Sequence, residues 1–263
     1  MLAGIEFANG LWTLNGQNIN TKPVMYCDRL RIRDPHDNSF NFLSEHLDSG
    51  SIERWQDNNY RMCYNDIFNL NWNNWDGYNG DYRIIAQMDH YGMENNCTVF
   101  RTFQGWLAMS DIQSDYGTLK VSPLLKESIA YIMLRPFVSD MNDWNFGEIF
   151  GGYGLKLKDK YHKILKDIMV PIPSVQPGDM VFWHCDTIHA VDAYNKSDND
   201  NSVMYIPACF DCQLNRKYMI NQGNAFINGT SPPDFPQTNS ELYWENRATI
   251  DDLNTTGKLV MQL

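Results

Sequence analysis

His46, Asp48 and the distant His189 are the residues of this chain whose types and spacing suit one metal ion. A His-x-Asp pair completed by a remote histidine is the donor set of the 2-His-1-carboxylate facial triad, which holds non-haem Fe(II) by one face and leaves the other open. On a strand, residues i and i+2 point to the same side, so His46 and Asp48 can reach a common ion. The third donor must then come from another strand, which accounts for its distance along the sequence. Two imidazoles and a carboxylate leave three positions; two suit a bidentate oxo-acid and one suits dioxygen.

The pattern is short, and the chain repeats it, because His184-Cys185-Asp186 also fits. Two features favour His46 and Asp48. His184 and His189 lie too close in sequence to sit easily on separate strands. Ser49-Gly50-Ser51 after Asp48 are small residues that let backbone and ligand approach. His184, between Trp183 and Cys185, reads as a hydrogen-bonded core histidine. His36 and His162 read as surface residues, and His90 is a lesser candidate. Zinc is the rival metal, because Cys209-Phe210-Asp211-Cys212 is a C-x-x-C with His184 and Cys185 nearby in sequence. A structural zinc site usually presents two such pairs, and this chain has one.

Strands must position these donors. Val24–Cys27 running into Leu30–Arg33 reads as an alternating strand, ended by a turn at Asp34–Asn38. His46–Trp55 reads as a strand, Met62–Phe68 as a short helix, and Asn71–Asp81 as a loop that suits a lid. Thr98–Met109 is rich in β-branched and aromatic residues and reads as a strand with Thr118–Val121 as its partner. Leu124–Phe137 reads as a helix, and the lysine-rich Lys156–Lys166 as a solvated one. Met180–His184, Thr187–Ala193 and Ser202–Ala208 read as three short strands in series, followed by a helix over Leu214–Gln222. Proline keeps Ser231–Pro236 out of any central strand. Short strands punctuated by turns indicate a sandwich or barrel.

The 263 residues suffice for one large domain, and 43% hydrophobic residues give it a core. The 8 Trp, 14 Tyr and 13 Phe favour strands and an aromatic-lined cavity. A net charge of −11 argues against nucleic acid as a partner, since phosphates would be repelled. An acidic surface with many aromatics points loosely to a neutral or cationic small molecule. No stretch is apolar enough to span a membrane, and the N-terminus shows no secretory signal, so the chain reads as cytoplasmic with six reduced cysteines. Oligomeric state is open.

Longer motifs carry a resemblance. Arg29–Arg33, His46–Trp55, Phe100–Ala108, Pro177–Asp179 through Trp183–His189, Ser202–Pro207 and Pro232–Pro236 together resemble a domain-of-unknown-function family of bacteria and fungi. That family looks like a branch of the Fe(II)/2-oxoglutarate-dependent oxygenases, close to the phytanoyl-CoA dioxygenase type. The resemblance implies a mainly β chain with flanking helices, folded as a double-stranded β-helix (a cupin-like jelly roll). It implies one domain over residues 1–263, short at its N-terminus relative to the family. It also implies Fe(II) on His46, Asp48 and His189, with 2-oxoglutarate as co-substrate. Related oxygenases hold the co-substrate carboxylate with a basic residue beyond the distal histidine, but Ser202–Pro207 has none. Arg101, on the strand with Gln104 and Trp106, takes its place, with Arg54 in reserve; a guanidinium suits a carboxylate through two parallel hydrogen bonds. The implied function is hydroxylation of a small molecule. A catalytically inactive cupin-like binding protein, or a zinc- or manganese-dependent isomerase or hydrolase, are the alternatives.

Overall fold

The computed structural model describes residues 1–26, 29–38, 43–48, 50–86, 98–138, 141 and 149–263. The chain is mainly antiparallel β structure with flanking helices. Among the described residues nine strands form its two larger sheets: β1 (Leu30–Arg33), β2 (Leu43–Leu47), β3 (Phe103–Ala108), β4 (Leu119–Val121), β5 (Leu155–Lys156), β6 (Val170–Pro171), β7 (Met180–His184), β8 (His189–Val191) and β9 (Asn201–Tyr205). One sheet runs β7-β3-β9-β1 and the other β5-β2-β8-β4-β6. Residues of both line a common cavity.

β3 is central to its sheet and buried along most of its length. Gly105 is required there, because a Cβ would meet the Phe182 ring at 2.4 Å and the Val181 carbonyl at 2.8 Å. β4 is not the partner of β3. Its backbone bonds go to β8 and β6, so the turn after β3 carries the chain into the other sheet.

β1 inverts the usual alternation. Leu30 and Ile32 are exposed, whereas Arg33 is buried and donates to the carbonyls of Gly117, Asp192 and Ala193 at 2.7–3.0 Å. The arginines therefore face inward.

The strand expected over His46–Trp55 stops at Leu47. Gly50 takes a φ of +93°, and Glu53–Gln56 forms helix α1. The Glu53 carboxylate accepts from the Ser51 and Gly152 amides at 2.7 and 2.6 Å, which fixes this turn. The helix expected over Met62–Phe68 is split into α2 (Asn58–Met62) and α3 (Asn65–Phe68). Asn71–Asp81 is a packed wall and not a lid: Trp75 is buried, and its indole donates to the Cys63 carbonyl at 2.8 Å. Leu124–Phe137 is met by helix α4 (Leu125–Leu134) and a 3-10 turn to Phe137. The closing helix α6 (Gln213–Asn228) runs past Gln222 to Gly229, whose φ of +69° ends it. Buried Asn215 ties it to the sheet region by accepting from the Phe100 amide and donating to the Phe100 and Phe210 carbonyls. Ser231–Pro236 carries no strand. Among the described residues no helix is long and apolar enough to cross a membrane.

Helix α5 (Asp159–Asp167) keeps its lysines outward but buries Tyr161, His162 and Leu165. His162 is thus a core residue, not a surface one; its Nδ1 accepts from the Lys158 amide at 3.0 Å. His184 is the core histidine expected. It stacks on Trp12 at 4.9 Å, its Nε2–H donates to the Gly77 carbonyl and its Nδ1 accepts from the Asp186 amide. Burial pushes both histidines down to about 4, helped at His162 by the nearby Arg135 charge. Between pH 6.5 and 4 the unfolded chain therefore binds more protons, and acidification should destabilise the fold by up to about 1.4 kcal/mol per pH unit for each. Urea unfolding at pH 7, 6 and 5 reads that slope, and His162→Gln should remove about half of it.

Candidate metal centre

His46 and His189 are cross-strand partners on β2 and β8. Their rings lie 4.2 Å apart between centroids. Asp48, one residue past the end of β2, reaches both: Oδ1 is 3.4 Å from His46 Nε2 and Oδ2 is 3.6 Å from His189 Nε2. The donor atoms of the three all lie within 4.8 Å of one another. Both histidines are buried, and Asp48 is partly exposed toward the cavity.

The other ring nitrogens settle the orientation. His46 Nδ1 lies 2.6 Å from the Ser44 carbonyl and His189 Nδ1 lies 3.0 Å from the Thr187 carbonyl. A carbonyl only accepts, so both Nδ1 atoms carry the proton and both Nε2 atoms face Asp48. This is how metal-binding imidazoles are commonly oriented. Two donors bound to one ion at about 2.1 Å lie roughly 3.0–3.4 Å apart across octahedral to tetrahedral angles. The separations here are close to that range, and two imidazoles with a carboxylate suit a divalent first-row ion. Burial lowers His46, but Asp48 outweighs it and the histidine ends raised; burial prevails at His189, which ends lowered. For Asp48, burial raises the carboxyl, but the two histidines outweigh it and hold it well below its usual range. A divalent cation would compete with protons for these nitrogen and oxygen donors.

Gln104 supports the carboxylate. Its amide nitrogen donates to Asp48 Oδ2, while its oxygen accepts from the Trp183 indole at 2.9 Å. Both ends of Gln104 are thus engaged inside the protein. Gln104→Leu removes this support and is expected to weaken metal binding 10- to 100-fold with the fold retained. A Co(II) titration followed by its absorption bands measures the shift.

Beside the triad lies a cavity of 190 Å³ lined by Asp48, His189, Gln104, Trp106, Trp183 and Arg101 among others. Arg101 is buried, with its Nη1 3.1 Å from the Tyr26 hydroxyl. Arg29 and Arg31 are among the lining residues that escaped the sequence reading. The register of β1 beside β9, which the structure alone gives, places Arg31 opposite Val203.

Arg54 is not in this cavity lining. It is fully buried, donating to Asp186 Oδ1 at 2.7 Å and to the Asp48 carbonyl at 2.7 Å. Arg83 pairs with the other Asp186 oxygen, and the Tyr64 hydroxyl donates to Oδ1 at 3.0 Å. The second His-x-Asp motif therefore builds a buried ion cluster in which both Asp186 oxygens are paired with guanidinium groups. His184 and His189 do lie on separate strands, β7 and β8, despite their short spacing. Cys63, Cys185 and Cys212 are free thiols. Among the described residues, Cys209 and Cys212 join no metal-binding group. Cys27, Ser49, His90 and Cys97 lie outside the described residues.

The Gig2-like family profile matches residues 1–263. The chain belongs to the Gig2-like family. It is 37% identical over 259 residues to the uncharacterized protein YbiU of Escherichia coli K12, covering 96% of this chain and 61% of that protein. A Salmonella typhimurium LT2 structure, provisionally described as an oxidoreductase, matches at TM-score 0.91 and 35% identity over 100% of this chain and 64% of its own. The Candida albicans GlcNAc inducible gene 2 protein (GIG2, DUF1479) matches at TM-score 0.78 and 35% identity, over 91% of this chain and 56% of its own. The chain thus spans about three-fifths of the length of these Gig2-like relatives.

Proposed function

We propose that this Gig2-like chain is a non-haem Fe(II)/2-oxoglutarate-dependent oxygenase that hydroxylates a small molecule. One observation carries the reading: His46 and His189 have both Nδ1–H groups tied to strand carbonyls and both Nε2 atoms turned to the Asp48 carboxylate. A donor set of that kind suits Fe(II) and leaves coordination positions for reactants. The provisional oxidoreductase description of the Salmonella neighbour points the same way. A cavity lined by two antiparallel sheets also fits the double-stranded β-helix reading.

When bound, Fe(II) with 2-oxoglutarate would let dioxygen act as the oxidant for C–H hydroxylation, one oxygen atom going to the product and the other to succinate, with carbon dioxide released. The chain's own contribution is placement and shielding. The Ser44 and Thr187 carbonyls fix the rings, and Gln104 fixes the carboxylate. Trp106 and Trp183 form an apolar wall that keeps bulk water from the centre. Arg101, steadied by Tyr26, is the candidate for the co-substrate's carboxylate. The test is Fe(II)-dependent conversion of 2-oxoglutarate to succinate. Wild type is expected to turn over, and His46→Ala and Asp48→Ala are not; equal turnover in all three overturns the assignment.

A further inference from the structure

The cavity wall that faces the triad is cationic. Among the described residues lining it there are three guanidinium groups, on Arg29, Arg31 and Arg101, and one carboxylate, the Asp48 donor. The three are graded in depth: Arg29 is exposed, Arg31 is half-buried and Arg101 is buried. This occurs in a chain of net charge −11. It also occurs on a strand whose alternation is inverted, with Leu30 and Ile32 in solvent so that arginines face inward. Two large aliphatic side chains are thus left in solvent. Arg33 explains its own orientation by its three carbonyl bonds. Arg29 and Arg31 also line the cavity, Arg29 with the Phe235 ring at 5.2 Å and Arg31 with the Tyr205 ring at 5.9 Å. A guanidinium presents its N–H donors as a planar fork that matches a carboxylate or phosphate. A divalent ion on the triad would add positive charge to the same space.

We propose that the molecule acted on is a small organic acid, drawn in by Arg29 and held through its carboxylate or phosphate group by Arg31. This reverses the expectation of a neutral or cationic substrate drawn from surface charge. Net charge describes the whole surface, whereas a low-dielectric cleft focuses the local charge. The proposal rests on the oxygenase reading only in taking this cavity as the place of reaction.

The test is calorimetry on the Co(II)-loaded chain with 2-oxoglutarate present, so that the co-substrate's own position is occupied. The probes are glucuronate and glucose 6-phosphate against glucose, and benzoate against benzamide. At least one acid is expected to bind ten times or more tighter than its neutral partner, and the two glucose-derived acids separate carboxylate from phosphate recognition. Arg31→Gln should weaken that acid about 10- to 100-fold, with Arg31→Lys intermediate and Co(II) affinity unchanged. No acid binding more tightly than its neutral partner overturns the proposal, as does a preference that survives Arg29→Gln/Arg31→Gln. Failure of 2-oxoglutarate to bind is read separately in its own titration and counts against the oxygenase reading alone.

Discussion

Asp186→Asn is expected to lower the unfolding free energy by about 3–5 kcal/mol. That is much of the stability of an ordinary domain. Asp186 is 1% exposed and is shared by Arg54 and Arg83, both buried with it. The amide keeps the shape but removes the charge, and two guanidinium ions are then left in a cavity walled by Tyr60, Tyr64 and Trp12. Burial alone would raise the Asp186 carboxyl, but the charges of Arg83 and Arg54 outweigh it and hold the group far below the usual carboxylate range. Its stabilisation is therefore complete above the ordinary carboxyl pKa and is lost only as pH falls through the lowered value. Urea unfolding at pH 7 should show a large fall in midpoint for Asp186→Asn. A midpoint equal to wild type would remove the cluster from any account of the fold.

His189→Ala is expected to weaken metal binding by more than the roughly 100-fold that loss of an outer hydrogen-bond partner costs. It deletes one of two nitrogen donors and leaves Asp48 facing His46 alone. Leu47, Ile188 and the rest of the main core are untouched, so the fold should survive. Co(II) absorption titration of His189→Ala, set beside Gln104→Leu, separates the two roles: a donor should cost far more than its support. Equal losses would mean that His189 is no donor.

Much of this was readable from residue order. Met180–His184 forms a strand with the expected bounds, bracketed by a Pro-Gly-Asp turn and the Thr187 reversal. His46, Asp48 and His189 meet because i and i+2 share a side and a second strand crosses at His189. The division of strands between sheets was not readable. Thr118–Val121 has the local character of a hairpin partner, yet which sheet it joins depends on backbone bonds to remote β6 and β8. Nor were Arg29 and Arg31. An alternating strand is normally read with its apolar residues inward, and β1 does the opposite. His162 was misjudged for a related reason, since its lysine neighbours set the local polarity while the helix face sets its burial.

Arg54 spans the ion cluster and the carbonyl of Asp48, and Asp186 immediately precedes Thr187, whose carbonyl orients His189. Melting and the release of any cation held there would therefore form one thermodynamic cycle. A cation present at a hundred times its dissociation constant would raise the free energy of unfolding by about 2.7 kcal/mol, so a thermal scan against divalent ions can rank the occupants of the centre before any reaction is known.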